Sequence, residues 1–265
     1  MMRLPTVLLL LTACGPVPDF AATASRTESA RHLSGQVAVI GASASDGFRL
    51  SVGLADALAA LVGNERLEFA DFSASGMFLS PRGQGSRQVD QALALDPALV
   101  VAVDFLFWFG YGLVGDEADR LELFEDGIAL LESFDCPLVV ARYSDMSPAI
   151  GRMLMPGQVP GEQTLAQLNR RLVAWAEERG NVVVVPLDSL LDDMRSDRPI
   201  TIGGHTWPAG STQALLQDDQ LHPTLEGELV LAQLVLDALA DAGLRQGEAT
   251  DWDAAVQELR KRPAK

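Results

Sequence analysis

Ser43, Asp219 and His222 are the residues of this chain whose types and spacing could do chemistry together. A serine hydroxyl is a poor nucleophile until a base takes its proton during attack, and that base needs a partner to fix its tautomer. Ser43 lies in a small-residue segment, Gly41-Ala42-Ser43-Ala44-Ser45-Asp46-Gly47, directly after a strand candidate and shortly before a helix. That placement exposes the hydroxyl at a sheet edge and lets backbone amides face a developing oxyanion. Asp219 and His222 precede the helix-starting pair Pro223-Thr224, close enough in sequence to meet across one turn. The expected chemistry is acyl transfer: Ser43 attacks a carbonyl, His222 serves as base and then acid, and Asp219 orients the ring.

Elimination favours the same residues. The chain holds 3 histidines. His32 stands in or beside a Pro-, Ala-, Ser- and Thr-rich stretch, and His205 in the Gly-rich run Gly203-Gly204-His205-Thr206-Trp207. No His pair or Cys/His cluster has metal-ligand spacing, so no metal is expected. There is no phosphate loop, and Gly41–Gly47 does not match a dinucleotide fingerprint, so no organic cofactor is expected either. A formal net charge of −16 excludes a nucleic-acid partner, which would need a basic stripe. Other readings stay open at this point. Ser43 would also suit a plain turn, and Asp219 with His222 a helix cap. The aromatic run Phe105–Tyr111 suits pocket wall or core, and His205 with Trp207 either a cleft lining or a surface turn.

The elements that must position these residues alternate between strand and helix. Strands are expected over Gln36–Ile40, Leu67–Phe72, Leu99–Phe105, Pro137–Ala141 and Val182–Val185, and helices over Leu50–Val62, Ser86–Leu95, Glu117–Phe134, Glu162–Arg179 and Thr224–Ala242. Such alternation implies right-handed crossovers and a three-layer α/β/α sandwich around a mainly parallel five-stranded sheet. Ligands of open sheets of this kind bind beyond the carboxyl ends of the strands. That rule selects the loops carrying Ser43, Gly76 and Phe107.

At the N-terminus, Arg3 and the apolar run Val7–Leu11 lead into Leu11-Thr12-Ala13-Cys14, which resembles a bacterial lipobox. The resemblance implies a signal peptide over residues 1–14, lipid on Cys14 and a membrane tether. Gly15, in place of Asp, directs the expectation to the outer membrane, facing the periplasm. Residues 15–35 suit a flexible tether, 36–245 one domain, and 246–265 a polar tail with an amphipathic helix at Trp252–Arg260. Cys136, before an apolar run, is expected as a small core residue.

The chain resembles the GDSL/SGNH hydrolases, whose members carry Gly-Asp-Ser after the first strand and Asp-x-x-His near the C-terminus. Gly41, Ser43 and Gly47 match the first block, and Asp219, His222, Pro223 and Gly227 the last. Phe72-Ser73-Ala74-Ser75-Gly76 resembles the second. The resemblance implies a flavodoxin-like architecture and an oxyanion hole from the amides of Ser43 and Gly76. It implies hydrolysis of a small-molecule ester, an acyl lipid or an acylated carbohydrate, with neither metal nor organic cofactor. Two positions depart from the pattern. Ala42 replaces the aspartate of the first block. In the third block the oxyanion-donating Asn is replaced, with Phe107 at its position and Asp104 at the strand end in a local structural role. Those departures motivate an alternative in a different class: an envelope lipoprotein that keeps the fold, is catalytically weakened and binds a ligand or partner.

Overall fold

The computed structural model describes residues 33–63, 66–246 and 251–262. Cys14, His32 and the expected leader lie outside the described residues, as does the tether up to residue 32. Strands β1 (Gly35–Val39), β2 (Leu67–Asp71), β3 (Leu99–Val101), β4 (Leu138–Ala141) and β5 (Val182–Val185) form one parallel sheet in the order β2-β1-β3-β4-β5. The helices follow in chain order as α1 (Ser43–Asp46), α2 (Leu54–Val62), α3 (Pro81–Leu93), α4 (Phe107–Gly110), α5 (Glu117–Leu131), α6 (Glu162–Arg179), α7 (Leu187–Arg195), α8 (Leu225–Asp241) and α9 (Trp252–Arg260).

Side chains alternate across the strands with the period of two that a pleated backbone imposes. Val37, Val39, Leu99, Val101 and Val139 pack with α2, α8 and α9, while Ala38, Ile40, Val100, Ala102 and Val140 pack with α3, α5 and α6. Both faces are therefore covered, which is why the strands read as continuous apolar runs. The arrangement is the expected α/β/α sandwich. α9 lays Ala255 and Leu259 into the α2–α8 layer, so the polar C-terminal stretch contributes to the core.

Several bounds differ from expectation for identifiable reasons. β3 stops at Val101 instead of continuing to Phe105, because the chain turns at Val103–Leu106 and carries Asp104 inward under the end of β1. α2 begins at Leu54, where the Asp56 carboxylate accepts from the Gly53 amide at 3.1 Å. α3 starts earlier than expected, at Pro81, a residue whose fixed φ suits the first helical position. α7 is an addition to the expected helices, although Leu187, Leu190, Leu191 and Met194 recur at helical spacing and pack into the core. The Gly203-Gly204 stretch is a hairpin turn between β6 (Ile200–Ile202) and β7 (His205–Trp207), with φ of +55° and +77° at the two glycines.

Tight backbone approaches hold the ends of the sheet and helices in register. A Cβ on Gly41 would sit 2.1 Å from Asp104 Oδ1, and one on Gly227 would sit 2.0 Å from the Leu215 carbonyl oxygen. The second contact lets α8 start directly against the segment that carries His222. Thr224 caps that helix through its Oγ1, and its own amide donates to Leu215 O at 2.9 Å. Gly227→Ala is therefore expected to cost about 1–3 kcal/mol of stability by overpacking. Urea unfolding would show this as a lowered midpoint with an unchanged slope.

Candidate active site

The site is built at the carboxyl ends of the strands, where the chain leaves β1 and enters α1 at Ser43. Asp104 accepts from the amide of Ala42 (2.9 Å) and from Ser45 Oγ (2.5 Å) through Oδ1. Its Oδ2 accepts from the amides of Ala44 (2.9 Å) and Ser45 (3.2 Å). One buried carboxylate thus takes the donors on either side of Ser43 and leaves the Ser43 amide to other use. The turn is clamped again at Gly41, whose amide donates to Gln88 Oε1 (2.8 Å) and whose carbonyl accepts from Gln88 Nε2 (2.9 Å).

Asp46 links this turn to the segment after β2. Its Oδ2 accepts from the amide (3.0 Å) and hydroxyl (2.5 Å) of Ser75, next to Gly76. Gly76 lies in the 3₁₀ turn Ser75–Leu79, and a Cβ there would meet nothing within 4 Å. The segment after β3 is anchored by two tyrosines. Tyr143 donates to Leu106 O and Tyr111 to Ser144 O, each at 2.5 Å, and burial pushes both phenols up so that they remain neutral donors.

The three residues singled out for chemistry meet here. His222 Nε2 lies 2.8 Å from Ser43 Oγ, and His222 Nδ1 lies 2.9 Å from Asp219 Oδ2. Asp219 Oδ1 accepts from the amides of Leu221 and His222, each at 3.0 Å. Between them, Gln220 takes a left-handed φ of +62°, the kink that folds the carboxylate back onto the ring. Phe48 stacks on the imidazole with ring centroids 4.2 Å apart, and Gln217 Nε2 donates to both Phe48 O and Pro223 O at 2.8 Å. His222 and Asp219 are buried, while Ser43 is half-buried.

Burial opposes ionisation of Asp219, but the His222 amide, the His222 ring N–H and the Leu221 amide outweigh it and hold its pKa below the ordinary carboxylate value. An ionised Asp219 accepts the hydrogen bond of the His222 Nδ1–H, which fixes that tautomer and turns the Nε2 lone pair toward the Ser43 hydroxyl.

Two spaces open on this pair. A cleft of about 720 Å³ runs from Ser43 and His222 past Trp108 and the segments after β2, β3 and β4. On the other side lies a narrow pocket of about 60 Å³, walled by Phe107, Met146, Leu190, Met194 and Leu216. The aromatic run divides accordingly. Phe105 and Phe109 are core, Trp108 faces the cleft and Phe107 the narrow pocket. His205 and Trp207 pack with Trp252 and are not among the residues lining the cleft.

Structures of known proteins share this architecture. A lipase/acylhydrolase from Enterococcus faecalis is 17% identical, with 81% of this chain and 98% of that chain covered at a TM-score of 0.54. Axe2, an acetylxylan esterase from Geobacillus stearothermophilus, is 18% identical over 81% and 98% of the two chains, at 0.53. TesA is 17% identical over 78% and 99%, at 0.50. The chain has the SGNH-hydrolase fold. No protein-family model matches the sequence, and no curated protein matches it.

Sequence reasoning missed the stacking of Phe48 and the anchoring by Gln88 and Asp46, for which no local signal exists. Asp104 has the structural role expected of it, and its reach onto four donors has no local signal. Asp104→Asn presents an NH₂ to two of those donors and leaves them unpaired, at about 1–3 kcal/mol each; chemical denaturation should show the loss. A second expectation concerns pH. Because the folded pKa of Asp219 is lowered, its stabilisation is full above the ordinary value of 3.8 and is lost as pH falls through the lowered value. The stability gap between wild type and Asp219→Asn should therefore be constant near neutrality and close on acidification, read from denaturation midpoints at each pH.

Proposed function

We propose that this chain is a serine hydrolase of carboxylic esters. The observation that carries the reading is the continuous hydrogen-bonded line from Asp219 through His222 to Ser43, opening on a cleft. In this reaction Ser43 Oγ attacks the ester carbonyl as His222 Nε2 takes its proton. The imidazolium that forms is stabilised by the ionised Asp219. The negative charge that develops on the carbonyl oxygen is met by the amides of Ser43 and Gly76. Support for the Ser43 amide comes from Asp104, which holds its neighbours and not it. His222 then returns the proton to the leaving alcohol, and water repeats the sequence to release the acid.

Phe107 supplies no donor in place of the third-block Asn, and loss of one such donor costs on the order of 10²–10³ in turnover in enzymes that use it. We assign the chemistry to the two amides alone, which predicts a modest rate. In the same proposal, lipid on Cys14 tethers the domain to the bacterial envelope, at the outer membrane and facing the periplasm. The substrate then comes from the acyl lipids or acylated carbohydrates of that compartment.

Hydrolysis of nitrophenyl esters tests the reading. Ser43→Ala and His222→Ala should each lower kcat by on the order of 10⁴-fold or more, with unchanged circular dichroism. A folded wild type that leaves every ester intact would leave a ligand-binding protein on a hydrolase fold.

A further inference from the structure

We infer that the ester carries an extended alkyl chain, laid along the cleft that leads away from Ser43; this rests on the esterase reading above. Large apolar side chains left in water are uncommon as clusters, and a contiguous group of them marks a binding surface. Here Phe78 is 51% exposed, Leu79 75%, Leu113 65%, Met153 37% and Met155 52%, and all five line the larger of the two spaces beside Ser43 and His222. They come from three separate segments, after β2, β3 and β4, so no single loop sequence accounts for their convergence.

The polar groups of the cleft point the same way. A sugar would need free donors and acceptors for its hydroxyls, since buried hydroxyls without partners are costly. Ser75 spends its hydroxyl on Asp46, Arg82 is paired with Asp126 at 2.5 Å, and Gln158 Oε1 accepts from the Met155 amide. Beyond the reacting groups, the Ser80 hydroxyl and the Trp108 indole N–H are left without a partner among the described residues, against five exposed apolar side chains. Met153 and Met155 suit this role, because an unbranched thioether adapts its shape to a flexible chain.

The narrow pocket cannot take that chain. Its volume of about 60 Å³ is well below the roughly 150 Å³ of an apolar cavity that holds benzene. It fits the smaller substituent of the ester, and the cleft of about 720 Å³ fits the longer one. The long substituent could be the acyl group or the alcohol, so the test has one arm for each.

The experiment uses the full chain and two ester series, nitrophenyl esters from acetate to palmitate and acetate esters of alcohols from ethanol to hexadecanol, all below their aggregation limits. Burial of successive methylenes should raise kcat/KM by about three- to fourfold per carbon in one series until the cleft is filled. The series that rises identifies the side of the ester that occupies the cleft. In the double variant Leu79→Ser, Leu113→Ser, the ratio of octanoyl or octyl to short-chain kcat/KM should fall at least tenfold. Both residues are exposed, so the variant is expected to fold. Flat profiles in both series, a preference for the shortest member of each, or an unchanged ratio in the double variant would overturn the inference while leaving the esterase intact. Absence of hydrolysis in both series would remove the esterase reading and this inference together.

Discussion

The site depends on one buried carboxylate. Asp104 accepts four hydrogen bonds from three residues flanking Ser43, namely Ala42, Ala44 and Ser45, and so uses the full acceptor capacity of its two oxygens. A buried charge is tolerated when it is bonded in this way, and its satisfaction fixes the donors as firmly as the donors fix it. The close approach requires Gly41, where any Cβ would collide with Asp104 and Ser45. It also requires β3 to end early, which brings Trp108 and Phe107 into the two spaces beside Ser43. The position of Ser43, the orientation of its amide and the shape of both adjoining spaces follow from this one anchoring.

The histidine side of the site is held by a different device. Asp219 and His222 form a closed unit in which the carboxylate accepts from two amides and the ring, and the left-handed Gln220 provides the bend. Gln217, Arg195 and Thr224 tie this unit to Phe48, to α7 and to the start of α8. Ser43 and His222 are thus held 2.8 Å apart by two separate hydrogen-bonded supports. Preorganisation of this sort lowers the reorganisation required during reaction. On the proposed reading, it offsets the donor that Phe107 does not supply.

The sequence exposed the parts of this design that leave local signals. Val182–Val185 and Glu162–Arg179 appear with the expected limits, because a β-branched run bounded by Gly180-Asn181 and a long periodic helix are strong patterns. The order of the motifs likewise placed Ser43, Asp219 and His222 together. What escaped was tertiary in origin. The shortness of β3 comes from the reach of Asp104 to residues some sixty positions earlier, and nothing within Leu99–Phe105 encodes it. The aromatic run Phe105–Tyr111 suits pocket wall or core on sequence alone, whereas most of the cleft's exposed hydrocarbon comes from Phe78, Leu79, Leu113, Met153 and Met155, which no sequence window unites. α7 and the Gly203-Gly204 hairpin are different: their helical spacing and paired glycines were legible.

The central claim is that Ser43 is an activated nucleophile, and its most direct test is covalent capture. Full-length protein treated with a fluorophosphonate and examined by intact-mass and peptide mass spectrometry should gain one phosphonyl group, located on Ser43. The Ser43→Ala protein should gain none, and Asp219→Asn should react far more slowly. A folded wild type that stays unmodified, or that is modified equally in the Ser43→Ala protein, would contradict the account.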